Sequence, residues 1–125
     1  MINVSNTYLD QIPGEDFFTK SLQTPITFNL GSKTLRKGRL IIFKRSHFFI
    51  QVSLLSSKNS IETFEIPIPF KTEYYPEENL IYFDYRLNAF TDHDEDIQDT
   101  IRYQVSKNTP SQYLNKILEI QTTLA

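Results

Sequence analysis

The chain has 125 residues, long enough for one compact domain (1–125) with a core that needs no staples. With 22% charged and 39% apolar residues it is neither a disordered acidic tail nor a fibre, and ten Phe and seven Tyr against three Gly exclude Gly-rich low complexity. The lack of Cys excludes a disulfide framework, a thiolate zinc site and a Cys nucleophile, and the net charge of −2 excludes a uniformly basic chain.

Residues 1–24 read as an arm or a short helix, with a turn at Pro13-Gly14 and Phe17, Phe18 and Leu22 as anchors. After Pro25 the pattern becomes strand-like: Ile26, Phe28 and Leu30 alternate with Thr27 and Asn29, and Gly31-Ser32 ends the run. A second strand covers Arg39 to Phe43, with Arg39, Ile41 and Phe43 on a common face. Phe48, Ile50, Val52 and Leu54 then point one way, and His47, Phe49, Gln51 and Ser53 the other. Beyond a turn at Ser56–Ser60, Phe64, Ile66, Ile68 and Phe70 share a face. Pro67 and Pro69 remove backbone donors, so the end of that strand belongs at an edge or outside the sheet. A turn at Tyr75–Asn79 leads to a strand with Ile81, Phe83, Tyr85 and Leu87 on one side and Tyr82, Asp84 and Arg86 on the other.

For residues 92–106, acids in the first turn and Ile97, Ile101 and Val105 at intervals of four favour a helix capped by Thr91, with a strand through Ile101, Tyr103 and Val105 as the alternative. Thr109-Pro110-Ser111-Gln112 fits a capping box, and Leu114, Ile117, Leu118 and Leu124 predict an amphipathic helix over 110–124. The expected fold is therefore α+β: an antiparallel β-meander of about five strands over 25–88, followed by one or two C-terminal helices in 89–125.

Charge is sharply partitioned. Residues 33–58 carry Lys33, Arg36, Lys37, Arg39, Lys44, Arg45 and Lys58 without one acid, a charge of +7, whereas residues 59–100 carry −9. Cations for phosphates and flat rings for bases are what single-stranded nucleic acid requires, and both occur in the early hairpin. The candidate site is Lys33, Arg36, Lys37, Arg39, Lys44 and Arg45 on phosphates, with Phe43, Phe49 and His47 stacking on bases. This reading requires the cations to stay clear of Glu62, Glu65 and the aspartates after Phe90. The competing reading makes Phe43 and Phe49 core residues and the cations a soluble strand edge.

Thr91–Asp99 resembles the start of a calcium-binding EF-hand loop through Asp92, Asp94 and Asp96. It departs from that pattern with Ile97 in place of Gly and Tyr103 in place of the closing Glu, so a solvated acidic loop or helix start is the better account. His47 and His93 have no spacing that joins them in a metal site. There is no G-x-S-x-G, no Gly-rich phosphate loop and no H-E-x-x-H, so the expectation is a non-enzymatic protein without cofactor or metal. Tyr82 and Arg86 on a strand face are residue types that dominate protein interfaces. The expected partner is single-stranded DNA or RNA. The alternative is an adaptor or assembly subunit whose basic and acidic surfaces meet protein partners or copies of itself. Met1–Tyr8 lacks the basic and apolar regions of a secretory signal, and apolar runs of about four residues are far below a membrane span, so the expectation is a cytoplasmic protein without membrane contact.

Overall fold

A computed structural model describes residues 14–46, 48–89 and 94–123. Helix α1 (Glu15–Ser21) precedes β1 (Pro25–Leu30), β2 (Lys33–Arg45), β3 (Phe49–Leu55), β4 (Ile61–Pro67), β5 (Lys71–Tyr75), a 3₁₀ turn (Pro76–Glu78), β6 (Leu80–Asp84), α2 (Glu95–Asn108) and β7 (Ile117–Thr122). Among the described residues the seven strands form one antiparallel sheet, in the order β4-β3-β2-β1-β7-β6-β5. The α+β class is as expected. The sheet has seven strands rather than five, one helix comes before them, and the last element is a strand.

Chain length forces this sheet to curl. Edge strands β4 and β5 are joined by only Ile68, Pro69 and Phe70. That link spans at most about 14 Å, whereas six strand spacings in a flat sheet would separate the edges by about 29 Å. Two contacts show the curl directly. The rings of Phe28 on β1 and Phe64 on β4, three strands apart, lie 5.1 Å apart. The Tyr85 hydroxyl just past β6 donates to the Pro67 carbonyl at the end of β4, at 2.6 Å. Pro67 ends β4 at the sheet edge, as its missing donor requires.

The concave side holds the core: Ile26, Phe28, Leu40, Ile50, Val52, Ile66, Ile81, Phe83, Leu118 and Ile120 are all buried. Helix α1 inserts Phe17 and Phe18 into it. The Phe18 ring lies 5.4 Å from Phe43 on β2 and 6.2 Å from Phe83 on β6, and Phe17 lies 6.0 Å from Tyr74 on β5. Gly14 lets the chain enter this helix: its φ is +71°, and a Cβ there would collide with the Ile81 side chain.

The helix expected over 110–124 is not formed. The Thr109 hydroxyl donates back to the Val105 carbonyl at the end of α2, so it closes one helix instead of opening another. Pro110 begins a turn in which the Tyr113 amide donates to the Pro110 carbonyl, and Asn115 takes a positive φ of 63°. Leu118, Ile120 and Thr122 then point inward while Glu119 and Gln121 point outward, a period of two. Inserted between β1 and β6, this segment gains a hydrogen-bonded ladder on each side. The helix favoured over 92–106 is present, capped by Asp94, whose Oδ1 accepts the Asp96 and Ile97 amides at 2.9 and 3.3 Å. Thr91 lies outside the described residues. Ile101 and Val105 pack on Phe70, and Ile97 stays exposed.

Candidate binding face on the outside of the sheet

Two β-bulges decide which way the cations of β2 point. The register steps from Leu40↔Leu54 to Ile42↔Ser53, leaving Ile41 as an extra residue, and from Asn29↔Thr34 to Phe28↔Arg36, leaving Leu35 as another. Between the Leu35 and Ile41 bulges, Arg36, Gly38 and Leu40 face the core side and Lys37 and Arg39 face out. After the Ile41 bulge, Phe43, opposite buried Val52, faces in, and Lys44, opposite Gln51, faces out. The bulge thus places Lys44 on the face of Lys37 and Arg39, a strip about 20 Å long. It also separates Arg39 from Phe43, which simple alternation had placed on one face.

The expected site residues therefore divide. Lys37, Arg39 and Lys44 are exposed on the outer face, with half-buried Phe49 beside them on β3. Lys33 sits exposed at the β1–β2 turn, where Gly31 has φ +64°. Phe43 packs against Phe18 and the core and presents no ring to a base. Arg36 turns under the sheet: its Nε lies 3.0 Å from Glu62 Oε1, an Nη donates to the Leu35 carbonyl, and the guanidinium stands 5.6 Å over the Phe64 ring. Arg45, opposite Ile50, shares the inward parity of Phe43. His47 lies outside the described residues. For Lys33, Lys37, Arg39, Lys44 and Lys58, no carboxylate among the described residues lies within ion-pairing distance.

Sequence reasoning missed the neighbours of this strip. A hollow of about 440 Å³ opens beside Lys37, between the start of β1 and the β3–β4 turn, lined by Pro25, Thr27, Lys37, Ser57 and Lys58 among others. Lys58 was legible only as part of a charge run, because its approach to Lys37 depends on the hairpin folding back. Leu55 and Ile61 lie in register with Arg39 at one end of the outer face of β2–β4; the next row is Ile42 with the hydrogen-bonded Ser53–Thr63 pair, and the row after that is Lys44, Gln51 and Glu65. Ile42 is 48% exposed and Ile61 65%, unusual for residues that pack in a monomer.

The other half of the outer surface is aromatic, with carboxylates and with Lys71 on the same face of β5 as Glu73. Glu73, Tyr82 and Glu119 lie in one cross-strand row over β5, β6 and β7. The Tyr75 hydroxyl donates to Glu73 at 3.2 Å, and its ring lies 5.6 Å from Tyr82. Both phenols are held above their ordinary pKa of 10.0. For Tyr75 the main cause is the Glu73 hydrogen bond and then the Glu73 charge; for Tyr82 it is burial and then the charge of Glu119.

Asp94 is occupied as a helix cap, Asp92 and His93 lie outside the described residues, and no group of three or more possible metal ligands gathers among the described residues. No described helix is long and apolar enough to cross a membrane. Compared with protein-family models, curated proteins and solved structures, the chain matches none.

Proposed function

We propose that this is a non-enzymatic binding protein that takes single-stranded nucleic acid along the outer face of β2. The observation that carries this reading is the alignment of Lys37, Arg39 and Lys44 on one face, free of described carboxylate partners and continued by Lys58 at the hollow. Cations without a ring platform hold phosphates and read no bases, so binding is strong at low salt and indifferent to sequence. Among the described residues, Phe49 is the aromatic of the expected set that stands beside the strip. The enclosed Phe43 and the Glu62-paired Arg36 take no part. Glu73 of the −9 segment, together with Glu119, lies on the other half of the outer surface, and Glu65 stands two strands from Lys44 on β4.

Fluorescence anisotropy with labelled single-stranded DNA and RNA tests the proposal. The expected result is binding at low salt that K37A/R39A/K44A weakens by at least about tenfold, the change of roughly 1.4 kcal/mol that even modest phosphate contacts supply together. R36A should leave affinity within about twofold, since its charge is spent on Glu62. Absence of any binding by the wild-type protein refutes the proposal.

A further inference from the structure

The two halves of the outer surface complement each other. On β2–β4, Leu55 and Ile61 form an apolar pair beside Arg39, Ile42 stands on β2 between Arg39 and Lys44, and Ser53, Thr63, Gln51 and Glu65 complete the face, with Lys37, Arg39 and Lys44 along β2. On β5–β7, Tyr75 and Tyr82 form a ring pair bordered by Glu73 and Glu119. Cation faces carboxylate and aliphatic faces aromatic when one surface is laid on the other. The two cannot meet within one chain, because they lie on different parts of the same outward-facing curve. Ile61 stands on edge strand β4, and its 65% exposure is what an uncovered contact surface shows.

We propose that the β2–β4 face docks the Tyr75–Tyr82–Glu73–Glu119 face of a second copy of this chain, head to tail. Because each copy keeps one face of either kind unused, the contact is heterologous and propagates into chains or a ring. The docking surface is about three strands wide and seven residues long, roughly 14 by 23 Å. That is roughly 320 Å² per copy, below the standard size of specific protein contacts, so the association is weak and salt-sensitive. It occupies the same cations that the proposed function assigns to phosphates. On that reading alone, a bound oligonucleotide dissociates the assembly; the docking itself requires no nucleic acid.

Sedimentation velocity of the protein without nucleic acid, at an ionic strength of about 0.01 M where charges act over about 30 Å, is the test. The wild-type chain should form species larger than the monomer as concentration rises, and these should disappear at high salt. K37Q/R39Q/K44Q keeps only the acidic face and E73Q/E119Q only the basic one, so each should be monomeric alone. Mixed, they should give a one-to-one heterodimer and nothing larger. I61K, at an exposed edge position, should lose association while keeping the wild-type circular dichroism spectrum. A wild-type chain that stays monomeric, a neutralised variant that assembles like wild type, or a mixture without heterodimer overturns the docking. Oligonucleotide binding in the same samples reports separately: its absence removes the nucleic-acid reading and leaves the docking standing.

Discussion

Asp84 is almost fully buried, and its oxygens take Arg86 Nε at 3.0 and 3.2 Å, an Arg86 Nη at 2.7 Å and the Arg86 amide at 3.0 Å. Burial by itself would raise this carboxyl, but the Arg86 hydrogen bonds and charge, with help from Lys71, outweigh it and hold the pKa below the ordinary value. A group whose folded pKa is lowered stabilises the fold above its unfolded pKa, about 3.9, and that contribution is lost as pH falls through the folded value. D84N should therefore cost about 1–3 kcal/mol at neutral pH in urea denaturation, and the gap to wild type should narrow as acid protonates Asp84. The tyrosines give a second residue-scale check. E73Q should bring the Tyr75 ionisation back toward its ordinary value in an ultraviolet pH titration, because the carboxylate that disfavours the phenolate is gone. Of these details the sequence showed residue types and little else. The Arg36–Glu62 pair joins β2 to β4 across β3, and no local pattern reports a contact between strands that are not neighbours.

At the scale of elements, β1, β3, β4 and β6 were legible because each keeps a strict period of two between clear turn residues. The faces that alternation predicts as buried are buried or half-buried in β1, β3 and β4, and in β6 Leu80 and Asp84 on the other face are buried as well. Helix α2 was legible from Ile101 and Val105 and from its acidic first turn. Strand β5 (Lys71–Tyr75) was not expected, since it shows no apolar alternation, and two further things were not legible. Bulges at Ile41 and Leu35 change the parity of β2 without changing its composition, so the faces of Arg39, Phe43 and Lys44 could be assigned only with the partner strands in place. The segment 114–120 satisfies a helical stripe and a strand alternation together, and the vacancy between β1 and β6 decides for the strand. If β7 is a central strand, Leu118→Ala and Ile120→Ala should each cost about 2–5 kcal/mol in urea denaturation, since both side chains are fully enclosed in the curled core. The backbone amides of β7 that bond to β1 and β6 should exchange as slowly as global unfolding allows. Phe18→Ala should cost about 3–5 kcal/mol, because α1 fills the concave side with that ring.

For the whole molecule, the short β4–β5 link curls one antiparallel sheet around its core. The outer surface gathers cations of residues 33–58 toward β2 and the β3–β4 turn, while carboxylates lie on β4 (Glu65), β5 (Glu73) and β7 (Glu119). A nearly neutral chain thus presents fields of both signs, which steer partners although the net charge is only −2. The most direct test of the central claim, that the outer face of β2 holds phosphates, is the salt dependence of single-stranded oligonucleotide binding by the wild-type protein. Three to four phosphate contacts predict a linear log–log plot with a slope of about −2 to −3, reduced in step as Lys37, Arg39 and Lys44 are removed one by one. A slope near zero, or one that these three substitutions leave unchanged, would contradict it.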